Sequence, residues 1–135
     1  MNKHDGEIVE FFKSYMLDIN ERGLQAITDY FNAPSFVISQ DGVSSLASNK
    51  EVAAFFQPQF DAMESQGFTR AEATEMNVKV LSDNAAIASN VVVRYKQDGS
   101  ELNRTAITYT LHKNSHGWKI AVLMLHDPDK VIQIC

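Results

Sequence analysis

Cysteine is nearly missing from this chain: among 135 residues there is one, Cys135, at the last position. An intrachain disulfide is therefore excluded, and a thiol on a terminus makes a poor nucleophile. No apolar run approaches the roughly 18 residues that a transmembrane helix needs. The segment Met1-Asn2-Lys3-His4-Asp5-Gly6-Glu7 lacks the apolar stretch of a secretory leader, so a cytoplasmic protein with no membrane partner is expected. Basic residues are outnumbered, 12 against 17 acidic ones for a net charge of -5, and they form no cluster, which argues against nucleic acid. His4, His112, His116 and His126 are scattered, and none stands at ligand spacing from a carboxylate or cysteine, so no metal is expected. P-loop, dinucleotide fingerprint and nucleophile elbow are likewise absent, and no cofactor is expected. Without an internal repeat or a linker, the 135 residues read as one domain, long enough to bury a real core.

What is present is an order of elements. Ile8, Phe11, Phe12, Tyr15 and Ile19 recur at helical spacing in a first helix that Asp5 would cap and that ends near Asn20, before Gly23. A shorter helix carries Leu24, Ile27, Tyr30 and Phe31 until Asn32-Ala33-Pro34 stops it. Ser35 to Gln40 reads as a short strand ending at Asp41-Gly42. Ser48 and Glu51 form a capping box for a third helix with Val52, Phe55, Phe56, Phe60 and Met63 as its apolar stripe. Pro58 is expected to kink or divide that helix. After about residue 69 come four alternating, strand-length runs.

Two turns set a register for these runs. With Asp98-Gly99 as a two-residue loop, Arg94 faces Asn103, Val92 faces Thr105, Asn90 faces Ile107 and Ala88 faces Tyr109. With Ser115-His116 as the next loop, Leu111 faces Ile120, Tyr109 faces Val122, Ile107 faces Met124 and Thr105 faces His126. One sheet face then gathers Asn90, Val92, Arg94, Ile107, Tyr109, Trp118, Ile120, Met124 and His126, the mixture of apolar and sparse polar groups usual for a small-molecule pocket. The other face gathers Ile87, Val91, Val93, Tyr95, Leu102, Ala106, Leu123 and Leu125. It is too apolar for water, and a second copy of the chain is its expected cover, giving a homodimer through the sheet.

The order helix, helix, strand, helix, then long antiparallel strands resembles the NTF2-like superfamily, which includes SnoaL-like cyclases and ketosteroid isomerases. Phe11 to Phe31 looks like that family's first two helices, Ser48 to Phe56 like its third, and Gly117-Trp118-Lys119-Ile120 like the start of its last strand. The resemblance implies an α+β cone whose N-terminal helices pack across a strongly curved antiparallel sheet around a deep cavity, with dimers formed through the sheet's other face. In the ketosteroid isomerase branch a tyrosine on the first helix stabilises an oxyanion, and Tyr15 stands at the matching place. That branch also needs a carboxylate base on the strand after the second helix, where this chain has Ser39, so ketosteroid isomerase activity is rejected. Asp41 is better read as a turn residue before Gly42.

SnoaL-like cyclases place a histidine and an aspartate from later strands in the pocket, and His126-Asp127 ends the last strand here. His126 is thus a candidate general acid or base, or else a core histidine packed on the first helix. The expected site comprises Tyr15 and His126 as catalytic groups and Tyr30, Phe55, Phe60, Asn90, Tyr109, Trp118 and Met124 around a small apolar molecule. Arg94, near a strand end, is read as meeting solvent or a surface acid. Two functions stay open: cofactor-free proton transfer next to a carbonyl, as in a cyclase, isomerase or dehydratase, and a non-catalytic apolar-ligand or dimerisation module.

Overall fold

The computed structural model describes residues 3–132, with side chains from Asp5 onward; Cys135 lies outside the described residues. Helix α1 (Lys3–Arg22) buries Ile8, Phe12, Tyr15 and Ile19, the stripe its spacing demands. Asp5 lies in the first turn of the helix rather than ahead of it. The carboxylate sits inside the helix and accepts a hydrogen bond from the Val80 backbone N–H at 2.9 Å, fastening α1 to a strand. Gly23, at a φ of 64° that a side chain would strain, turns the chain into α2 (Leu24–Tyr30). Strands β1 (Phe31–Ser39) and β2 (Gly42–Leu46) form a hairpin, with Asp41 exposed in its turn and its N–H bonded to Ser39 Oγ.

Ser48 caps α3 (Asn49–Ser65) through its hydroxyl, which accepts from the Glu51 N–H at 3.2 Å. Pro58 neither ends nor divides this helix, which runs unbroken from Asn49 to Ser65. Strands β3 (Phe68–Ser82), β4 (Ala85–Lys96), β5 (Glu101–Asn114) and β6 (Gly117–His126) complete an open, curved sheet in the order β2-β1-β6-β5-β4-β3. The sheet is mixed rather than antiparallel throughout, because β1 runs parallel to β6.

The hairpin registers fared differently. The loop after β4 has three residues rather than two, since Lys96 and Ser100 close it and Gly99 takes a φ of 88°. A bulge between Arg94 and Tyr95 absorbs the difference, so Arg94 pairs with Asn103, Val92 with Thr105, Asn90 with Ile107 and Ala88 with Tyr109, as the pattern requires. In the β5–β6 hairpin Leu111 pairs with Ile120 as expected, but the register shifts at Ala121 and Thr110 then meets Val122. Every later residue of β6 is displaced by one and changes face. Leu123 and Leu125 point toward the helices, while Val122, Met124 and His126 point away.

The helices cover one face of the sheet and the main core lies between them, centred on Phe12, Val92, Ile107, Tyr109 and Ile120. On the outer face Val91, Val93 and Ala106 form a second buried cluster, packed by Tyr95 and by Val131 from the chain's last described residues. That segment is also held by a hydrogen bond from the Ile132 N–H to Ser89 Oγ at 3.1 Å. Part of the outer face is therefore covered from within the same chain.

Candidate functional site

A cavity opens between the helices and the inner face of the sheet, and the periodicities of its walls explain its composition. Helix α1 contributes Tyr15 and Ile19, one turn apart, with Met16 beside them; α3 contributes Phe56, Phe60 and Met63 at helical spacing. Three strands each give a pair of alternate residues: Val92 and Arg94, Ile107 and Tyr109, Leu123 and Leu125. Among the described residues, the polar groups in the wall are Tyr15, Gln59, Arg94 and Tyr109. No carboxylate and no imidazole of the described residues lines it. The volume is about 70 Å³, room for a few waters and well below the roughly 300 Å³ at which drug-sized sites begin. Met16 and Ala71 also line a larger groove of about 530 Å³ between α1 and β3.

The two phenols are buried and hydrophobically framed. The Phe12 ring lies 4.6 Å from that of Tyr109, and the Tyr30 ring 5.1 Å from that of Tyr15. Burial raises the pKa of Tyr15 well above the usual phenol value, and the nearby Tyr109 adds to the shift while Arg94 opposes it. Tyr109 is raised chiefly by burial too, with Arg94 and Asn90 acting the other way. Both hydroxyls therefore stay protonated and can donate. Arg94 is half-buried, and its Nη1 donates to Asn103 Oδ1 at 3.1 Å and Thr105 Oγ1 at 3.4 Å. Burial pulls its pKa down, but an arginine remains charged.

The expected site residues part company here. Tyr15, Phe60 and Tyr109 line the cavity. Tyr30 stands one ring behind Tyr15 and donates to Asp18 at 2.5 Å instead. Phe55 packs edge-on against Phe56, which does line the wall, at 5.0 Å. Asn90 is fully buried; its Nδ2 approaches Met76 Sδ at 3.8 Å and its Oδ1 has no partner. Trp118 is a core residue under Lys113, away from the wall, with its indole N–H unpartnered. Met124 and His126 are on the opposite face of the sheet, because of the shift at Ala121. His126 is neither at the cavity nor against α1: its Nε2 lies 2.7 Å from Thr108 Oγ1, which shares a 3.0 Å hydrogen bond with Ser89. That chain of polar groups leads to the Ile132 backbone and anchors the terminal segment.

Arg94 was the residue that sequence reasoning undervalued. The strand register had placed it on the pocket face, and its position near the strand end suggested solvent; the curl of the sheet under α1 and α3 encloses it instead. Gln59 and Met16 were not singled out, since a polar and a thioether residue on amphipathic helices carry no distinguishing signal.

An α+β cone with helices across one face of a curved sheet and an apolar cavity between them defines a pocket-bearing fold that hosts many unrelated functions. The chain belongs to the NTF2-like family: residues 5–128 match the family model described as NTF2-like protein (DUF6841). Solved structures with the same fold include an NTF2-like protein of unknown function from Shewanella oneidensis MR-1, at 20% identity and a TM-score of 0.73, covering 90% of this chain and 98% of that one. Aln2 from a Streptomyces species is similar at 16% identity and a TM-score of 0.74, covering 96% and 94%. An NTF2-like protein of unknown function from Pseudomonas putida KT2440 reaches a TM-score of 0.74 at 12% identity, covering 98% and 95%. No curated protein matches the sequence. Among the described residues no helix is long and apolar enough to cross a membrane, and no group of side chains could hold a metal.

Proposed function

We propose that this protein binds a small, largely apolar molecule in the cavity between α1, α3 and the sheet, and that it does so without acting as a SnoaL-like cyclase, isomerase or dehydratase. The observation that carries this reading is the wall itself: its polar groups are donors or neutral amide, and among the described residues no proton-abstracting carboxylate or imidazole lines it. A phenol whose pKa burial has raised is a poor base at neutral pH, which removes Tyr15 and Tyr109 from that role while leaving them able to donate to a ligand oxygen. His126, the expected acid or base, has the sheet between it and the cavity. The test is titration of the full chain with phenol and with benzene, followed by NMR. Shifts should concentrate at Ile107, Leu123 and Val92, and Ile107→Phe, which fills the cavity, should weaken both ligands at least tenfold. Binding untouched by Ile107→Phe would place the ligand elsewhere and sink the reading.

The outer face supports a second reading, a homodimer through the sheet. Val131 shields the β4–β5 part, but Phe36, 40% exposed, is paired beside Val122, and Ile38 beside Met124, all on the uncovered side near β1 and β6. A second copy placed over this strip would bury it.

A further inference from the structure

The cavity contains one formal charge, and no carboxylate of the described residues pairs with it. Arg94 makes no ion pair with any carboxylate of the described residues: Glu101 is taken by Arg104, and Glu72 by Arg70. Its Nη1 is tied to Asn103, directly opposite on β5, and to Thr105. Those two bonds fix the plane of the guanidinium, and its Nε and Nη2 edge carries no partner. A guanidinium edge with two parallel N–H groups matches the two oxygens of a carboxylate. A charge that is half-buried and unpaired is costly, and an incoming anion recovers that cost. The hydroxyls of Tyr15 and Tyr109 add donors at the same cavity, both held protonated by burial and both close enough to Arg94 for their titrations to feel its charge.

We propose that the cavity selects the carboxylate of a small organic acid, seated on the free edge of Arg94 with Tyr15 and Tyr109 as further donors and with its hydrocarbon body against Val92, Ile107 and Leu123. This rests on reading the cavity as the ligand site and adds the charge and size of the ligand. Size follows from the volume: about 70 Å³ admits a short chain or a single compact ring after small side-chain adjustments. A longer acid exceeds that volume, and the flexible side chain of Met16, shared with the groove along α1 and β3, is where the wall would adjust to it. Inorganic anions lack the apolar body that the remaining wall would cover.

The experiment compares charged and neutral ligands of equal shape, butanoate with butanamide and benzoate with benzamide, titrated into the full chain and followed by NMR. Wild type should bind each acid about tenfold or more tightly than its amide, the usual worth of a charge-assisted hydrogen bond. In Arg94→Gln, which retains a donor for Asn103, that gap should close, the acid losing more affinity than the amide. Arg94→Lys, with charge but without the fork, should keep part of the gap. Equal binding of acid and amide by wild type would overturn the carboxylate assignment and leave the pocket reading standing. A gap that survives in a folded Arg94→Gln would overturn it as well, and no binding of any of the four would overturn both. Should Arg94→Gln not fold, the acid-to-amide ratio of wild type and of Arg94→Lys decides.

Discussion

At the scale of single residues, the hydrogen bond from Tyr30 to Asp18 illustrates how a side chain near a pocket can be structural. The Tyr30 pKa is pushed up to about 12, first by burial and then by the bond to Asp18, while the same bond is the main reason that the Asp18 pKa falls below its ordinary 3.8. Arg22 joins the pair, 3.1 Å from Asp18 and 3.0 Å from Asp29. The signs follow from linkage. Asp18, lowered in the folded state, contributes stability above its ordinary pKa and loses it as pH falls through the depressed value. Tyr30, raised, contributes below its ordinary 10.0 and loses it as pH rises toward about 12. The stability difference between wild type and Tyr30→Phe should therefore be flat from about pH 5 to 9 and shrink at both extremes. Denaturant melts across pH check this, and a difference that grows toward acid would refute the coupling. Among the described residues the hydroxyl of Tyr15 has no such partner, and Tyr15 lines the cavity.

At the scale of elements, β3 is an edge strand of 15 residues, and a long bare edge invites pairing with another chain. Helix α1 covers it with two side chains. The Asn20 amide takes both backbone groups of Ala71, donating to its O at 2.9 Å and accepting from its N–H at 2.7 Å, and Asp5 takes the Val80 N–H. Asn20→Ala removes two such bonds and should cost about 1–3 kcal/mol. Faster amide exchange at Ala71, with β5 unaffected, is the expected signature; unchanged exchange there would mean that water replaces the amide without loss. Neither tether was legible in the sequence, because long-range side-chain to backbone bonds leave no periodic trace. The first hairpin register was legible in spite of a wrong loop length, since a compensating bulge preserved the alternation of Ala88, Asn90, Val92 and Arg94. The second was lost at Ala121. From Ile120 to Leu125 the residues are all apolar, so a shift of one leaves the hydrophobic pattern satisfied on either face, and only the packing of Leu123 and Leu125 in the cavity wall resolves it. The placement of His126 and Met124 failed for that single reason, whereas Tyr15, Phe60 and Tyr109 reached the cavity on unbroken patterns.

At the scale of the whole molecule, the two faces of the sheet divide the work. The inner face carries the cavity and the charge of Arg94; the outer face carries a strap anchored by Ser89, Thr108 and His126 next to an uncovered apolar strip. Because the strap already packs on Val91, Val93 and Ala106, the area left to a partner is the β1 and β6 side, where Phe36 is 40% exposed and Val43, paired with Ile38, is 68% exposed. A dimer formed there would be sensitive to one charge at that position, since an aspartate facing its own symmetry mate brings two like charges into a desolvated contact. Sedimentation of wild type should give a dimer at micromolar concentration, and Phe36→Asp should raise the dissociation constant at least tenfold while leaving ligand binding in the cavity unchanged. A dimer that persists in Phe36→Asp would move the interface off this strip, and a monomeric wild type would leave the strip without a second copy to cover it. Independence of the two readouts is expected from the geometry, because Phe36 pairs with Val122 on the face of the sheet opposite that of Leu123 and Arg94, which line the cavity.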